Sequence, residues 1–195
     1  MQYSAKMIQW APFAKTNPEP EGEFPKYGTP VNLGALNNVN EQLNYADVRA
    51  YGDDVCKVVE NDFTDGLLTI ETLELSNANA AALTGNTITA GSGDDGGDLE
   101  FSAEDLAPFG GAAFVTGWRR AGGSRYYQGI WYPKVKAHME GQTYNTRGQT
   151  ITLTNSRIIF AVLACKKGKP KVLSPEFTTE EKAIAWVNEK IKAST

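Results

Sequence analysis

Apolar and polar residues alternate over many short stretches of this chain, and clusters of Gly, Asn, Asp and Pro separate them. A two-residue period bounded by turn residues predicts strands rather than helices. Leu43–Gly85 holds the densest such pattern. Gln42–Val48 alternates Leu43 and Tyr45 before Asp47, which predicts a half-buried strand. Gly52-Asp53-Asp54 predicts a turn, and Val55–Glu60 and Gly66–Leu75 predict further strands. In the last of these, Leu67, Leu73 and Leu75 share one parity while Leu68 and Ile70 take the other, so cover on both faces is expected. Ser76-Asn77 offers side-chain oxygens to the free N–H groups of a short helix, Ala78–Leu83, and Gly85 suits the left-handed residue that ends one.

The second half continues in the same way. Val31–Leu36 and Asp98–Phe101 are short strand candidates, with Thr87–Gly97 a loop between the helix and the latter. Ala112–Arg120 runs into Gly122-Gly123 and returns as Arg125–Val135, a predicted hairpin. In the return strand Tyr127, Gly129 and Trp131 share one face and Tyr126, Ile130 and Tyr132 the other. Thr146–Thr154 alternates Ile151 and Leu153 against threonines, Ile158–Cys165 is an apolar strand, and Pro170–Leu173 follows a lysine-rich turn. Thr178-Thr179-Glu180-Glu181 has the form of a capping box for a C-terminal helix reaching about Lys192. Ile184, Val187 and Ile191 make one stripe of it with Trp186 at the border, so it is expected to dock on the sheet.

The N-terminal segment Met1–Pro30 differs. Pro12, Pro18, Pro20, Pro25 and Pro30 exclude helix and favour extended backbone. Tyr3, Ile8, Trp10, Phe13, Phe24 and Tyr27 all need cover, so it predicts an extended arm on a surface, either its own domain's or another molecule's. The expected organisation is an arm at 1–30, a mainly β domain at 31–175 and a helix within 176–195. A chain of 195 residues buries roughly 70% of its unfolded surface, enough for one self-sufficient core.

Composition narrows the functional classes. The net charge of −4 argues against sustained nucleic-acid binding, which uses clustered Lys and Arg. No apolar run approaches the roughly 18 residues of a membrane span, and the N-terminus shows no signal-peptide pattern. Cys56 and Cys165 lie far apart and read as two reduced, buried thiols.

Candidate chemistry is thin. Gly91–Gly96 matches G-x-G-x-x-G, but no buried strand precedes it and no helix follows. Asp94 and Asp95 would also repel a pyrophosphate, so it reads as a surface loop. Asp94, Asp95, Asp98 and Glu100 lack calcium-loop spacing. His138, the only histidine, reads as an ordinary strand residue. Arg119, Arg120 and Arg125 with Tyr126, Tyr127, Trp131 and Tyr132 resemble a face for stacking single-stranded nucleic acid, but read better as sheet packing with cation–π contacts. The expectation is no catalytic, cofactor-binding or metal-ligating residues, hence not an enzyme.

The order of several motifs resembles the major tail protein (tail tube protein) family of long-tailed, non-contractile bacteriophages. These are Tyr27-Gly28-Thr29-Pro30-Val31 before a Leu-Gly turn, Tyr45-Ala46-Asp47, Gly66–Leu75 running into Leu83-Thr84-Gly85, Tyr126–Val135, and Thr146-Arg147-Gly148-Gln149-Thr150-Ile151. The resemblance spans Pro25 to about Leu173; the proline-rich N-terminus and the C-terminal helix depart from the plainest members. It implies a β-sandwich or partly closed barrel flanked by a helix. Six copies would join their sheets into a ring lined by a continuous barrel, and rings would stack into a tube conducting DNA. It implies tape measure, tail tip and terminator proteins as partners, and a virion tail assembled in the host cytoplasm. It also implies that a long early loop, by position Ala46–Phe63, and the arm Met1–Pro30 bridge neighbouring rings. A related tube subunit of type VI secretion systems shares these expectations. A carbohydrate-binding module using Trp118, Trp131 and the tyrosines is the alternative of a different class.

Overall fold

The computed structural model describes residues 1–53, 55–89, 97–139 and 155–194, side chains at 48, 50–52 and 55–58 aside. It is mainly β, with one large antiparallel sheet and two helices. The strands are β1 (Gln2–Pro12), β2 (Val31–Asn32), β3 (Leu36–Gly52), β4 (Val55–Thr72), β5 (Thr87–Ile88), β6 (Leu99–Glu100), β7 (Phe109–Arg119), β8 (Arg125–Met139), β9 (Ser156–Val162) and β10 (Val172–Leu173). The helices are α1 (Asn77–Thr84) and α2 (Glu180–Ile191). The sheet order is β2-β1-β7-β8-β9-β4-β3. β9 pairs with β8 at Val135–Met139, and β10 takes the same edge at Ile130–Trp131. β5 and β6 form a separate pair. The predicted strand at Thr146–Thr154 and the loop centre Gly91–Gly96 lie outside the described residues.

The N-terminal segment rests on its own domain. β1 sits inside the sheet between β2 and β7, with Ile8, Trp10 and Ala11 fully buried. The chain then crosses one face: Ala14 N–H donates to Lys26 O at 2.9 Å and Tyr27 Oη to Pro133 O at 2.7 Å. Ser194 N–H donates to Tyr27 O at 2.8 Å, so the two end segments hold each other. Burial pushes the Tyr27 phenol far above its ordinary pKa, keeping it a donor.

Both faces of the sheet are covered around β7 and β8. Over Gly66–Leu75, where strand parity predicts cover on both faces, Leu68 and Ile70 are buried but Leu67 is 42% and Leu73 60% exposed, so one face lies open. One core joins Ile8, Trp10, Leu68, Ile70, Phe114, Tyr132 and Phe160 to Leu83 of α1. The other joins Ala11, Tyr27, Val115 and Trp131 to Ala183, Val187 and Ile191 of α2. β1 and β3, distant in strand order, come into contact, so the sheet bends over the first core. It does not close: β3 pairs with β4 alone among the described residues.

α1 is set by local chemistry. Ser76 Oγ accepts from Asn79 N–H at 3.2 Å, and Gly85, at φ 78°, donates to Ala81 O. α2 begins where expected but without the capping box. Thr179 is the N-cap and makes no side-chain cap hydrogen bond. The third helical residue is therefore Lys182, which has no acceptor to return to the cap N–H.

Candidate assembly surface

The most distinctive surface comes from the long hairpin of β3 and β4. The two strands pair from Leu36–Thr72 to Gly52–Val55, but β9 covers only Gly66–Thr72. Asn44–Asp65 therefore stands beyond the sheet as a two-stranded ribbon. The Ala46–Phe63 stretch, expected as a loop, is paired strand over most of its length. About ten residues per arm at ~3.3 Å each give a reach of roughly 30 Å.

Its root is built for a change of direction. Ladder irregularities fall at Asn44/Tyr45 and Ala50/Tyr51. Thr64 Oγ1 donates to Asn44 O at 3.1 Å, and Asn44 Nδ2 to Asp65 Oδ1 at 2.5 Å. An extra residue in one arm bends and twists a ribbon. Just beyond, Tyr45 and Phe63 meet edge to face at 5.9 Å, with Phe63 touching the core and Tyr45 55% exposed. Val59, further out, is 56% exposed. Arg49 and Asp47 form an ion pair at 2.8 Å. Asn44–Asp65 contains Asp47, Asp53, Asp54, Glu60, Asp62 and Asp65 against Arg49 and Lys57. Its excess of four acids equals the net charge of the whole chain, so the remainder is neutral.

A free two-stranded ribbon is marginal in water, and an unpaired strand edge invites pairing. This surface has both properties. Beside the sheet-paired part of β3, at Val39 and Glu41, lies a cleft of about 410 Å³ against the β7–β8 face, with Trp118 and Gln128 in its wall. Lys171 bridges there to Glu41 Oε2. Glu41 Oε1 and the buried Tyr132 Oη have no hydrogen-bond partner. Burial first, then the nearby Glu41 carboxylate, pushes the Tyr132 pKa up.

The residues tested for chemistry do not converge. His138 is exposed on β8 opposite Ile159. Asp98 precedes β6 and Glu100 is its last residue; Asp94 and Asp95 lie outside the described residues. The arginine–aromatic group is divided: Trp131 and Tyr132 belong to the two cores, whereas Arg120 lies over Tyr126 at 5.0 Å and pairs with Glu176. Arg125 lies over the Tyr3 ring at 5.6 Å, a partner that sequence reasoning missed because Tyr3 is distant along the chain. Cys165 is a buried free thiol; the side chain of Cys56 lies outside those described. Among the described residues, no helix is long and apolar enough to cross a membrane. No protein-family model matches the chain, and no curated protein matches it by sequence.

Proposed function

We propose that this chain is a self-assembling tube subunit of the tail tube kind, six copies to a ring and rings stacked around a channel for DNA. The observation that carries the reading is the acidic β3–β4 ribbon projecting from an open sheet. A marginal ribbon with exposed Tyr45 and Val59 gains cover from another molecule, and sheet edges joined between copies cease to be a hazard. In such a ring the bent sheet acts as the sandwich or partly closed barrel of the fold, with neighbours supplying the closure. Six-fold rings close through heterologous contacts, and stacking continues them into a filament. Acidic residues outnumber basic ones on the channel wall in this reading, so that DNA slides without releasing counterions to the protein. The remaining partners are the tape measure, tip and terminator proteins, the place is the virion tail, and no enzymatic step is involved.

Negative-stain electron microscopy with light scattering, over a range of protein concentrations, tests this. Hexameric rings or tubes with a central hole support it; a strict monomer at the highest concentration refutes self-assembly. A type VI-like tube shares the same assembly. The carbohydrate-module reading loses one half of its platform, because Trp131 is only 2% exposed.

A further inference from the structure

The two ends of β7 carry opposite and complementary surfaces. β7 runs eleven residues from Phe109 to Arg119, about 35 Å at ~3.3 Å per residue. At its start, the segment leading into it exposes Phe101 (69%) and Leu106 (80%), and Phe109 itself is 38% exposed. That segment carries Asp98, Glu100, Glu104 and Asp105 and no basic residue. Phe101 and Asp105 line a shallow hollow with His138 and Met139 from the far end of β8. Lys134 and Lys136 lie over the Phe109 ring at 5.0 and 5.5 Å, so the acidic part of this end is the Asp98–Asp105 segment with Phe101 and Leu106. Apolar side chains this open are unusual on a surface that stays in water.

At its finish, Arg119 stands directly opposite Arg125 across the hairpin, and both are exposed. Like charges facing each other across strands are destabilising unless something anionic relieves them. Among the described residues, Arg120 alone of the three is paired with a carboxylate, that of Glu176. Between the arginines lie ring faces: Trp118 stacks on Tyr126 at 6.1 Å, and Tyr3 is 48% exposed beneath Arg125. Arginine and aromatic rings are the residues that carry binding energy when an interface buries them.

We infer that these ends bind each other between copies: the Asp98–Asp105 segment with Phe101 and Leu106 of one chain docks on the Arg119, Arg125, Tyr3 and Tyr126 surface of the next. The occupant is a second copy of this chain because one molecule carries both halves, matched in charge and in apolar content, at opposite ends of one rigid strand. The contact is heterologous, so it propagates along the β7 direction. It rests on the self-assembly proposed above and assigns that assembly its axial contact.

Charge reversal tests it. Arg119→Glu with Arg125→Glu reverses one end and keeps the like-charge facing, so the hairpin carries a similar strain. Asp98→Lys, Glu100→Lys and Glu104→Lys, all at exposed positions, reverse the other end, whose one remaining acid is Asp105. Each variant alone is expected to lose end-to-end association by about a hundredfold or more, since like charges across a contact cost several kcal/mol. Mixed together, the two alternate, intact end on intact end and reversed end on reversed end, and end-to-end association returns. The chain carrying all five substitutions associates again. Sedimentation velocity and electron microscopy read these outcomes, with circular dichroism showing each variant folded. Phe101→Ser and Leu106→Ser weaken association without lowering Tm. If the reversed variants form the same filaments as the parent, the contact is overturned while tube assembly stands. If each reversed variant alone forms isolated rings that restack on mixing the two or in the fully exchanged chain, the contact holds. A parent chain that never associates overturns both.

Discussion

Gly129 is where a single methyl group most directly tests the seating of α2. Its backbone lies flush against the helix: a Cβ built there falls 2.5 Å from Trp186 Cε3 and 2.9 Å from Val187 Cγ2. Ordinary carbon contacts lie near 3.5–4.0 Å, so Gly129→Ala requires α2 to move by about 1 Å or Trp186 to leave its place. Val187 is fully buried, and its branched side chain has no spare rotamer. Ser174 holds the Gly129 strand in position, its Oγ accepting from Gly129 N–H and its N–H donating to Gly129 O, both at 2.9 Å. Overpacking of this kind costs about 1–3 kcal/mol. Replacing glycine in a strand returns roughly 0.5–1 kcal/mol through the unfolded chain. The net expectation is a loss of about 1–2 kcal/mol, or some 2–8 °C in Tm for a chain of this size. Urea and thermal denaturation measure it. In a double-mutant cycle, Trp186→Ala supplies the missing space, so the pair should cost about 1 kcal/mol less than the sum of the singles. A Gly129→Ala variant as stable as the parent would refute the close seating of the helix. So would a cycle that is simply additive.

Three further outcomes follow from the same geometry. Trp10→Ala should cost about 3–5 kcal/mol in urea denaturation, as for a large side chain deep in a core; a cost below 1 kcal/mol would mean that β1 is a detachable arm. Tyr27 and Tyr132 both have raised pKa values, so folded phenols stay protonated where unfolded ones ionise. Stability should hold below about pH 10 and then fall by about 1.4 kcal/mol per pH unit for each tyrosine. Urea midpoints from pH 9 to 11.5 should show this slope halved in Tyr27→Phe. Replacing Asp47–Asn61 by a tight two-residue turn should leave Tm within a few degrees but abolish rings and tubes under the microscope.

What could be read from the sequence was whatever local chemistry decides. Ser76 and Gly85 mark α1 because a side-chain acceptor and a left-handed residue act within one turn. Strand parity assigned Trp131 and Tyr132 to opposite faces, and the two cores divide between them accordingly. The prolines of Met1–Pro30 correctly favour extended backbone, but which sheet an extended segment joins is decided by distant partners such as Val115 and Ala113. β7 begins three residues earlier than its pattern suggests, because Gly110-Gly111 reads as a break. In the fold those glycines make room for the Trp10 and Tyr27 rings. The ribbon was legible from the residues: the alternation of Gln42–Val48, the turn at Gly52-Asp53-Asp54 and the strand at Val55–Glu60 all fall in it. The loop at Ala46–Phe63 was implied by the family resemblance alone, and there the pairing overrides it.

The residues that fold this chain and the residues offered for assembly are largely separate sets. Among the described residues, the two cores are built from the sheet, α1, α2 and the N-terminal segment, and Phe63 is the ribbon side chain packed on them. Tyr45, Val59, Phe101 and Leu106 contribute little to either core, yet all are more than half exposed. Large apolar groups held in water bring no stability to a monomer and raise its tendency to aggregate, so a partner surface is the state in which they become favourable. The acidic excess of the ribbon works against the same aggregation, since like-charged ribbons repel one another. Assembly is then restricted to contacts where that charge meets something other than itself. In the proposed assembly the chain folds first and associates second, and substitutions on the ribbon or at the ends of β7 should separate the two processes cleanly.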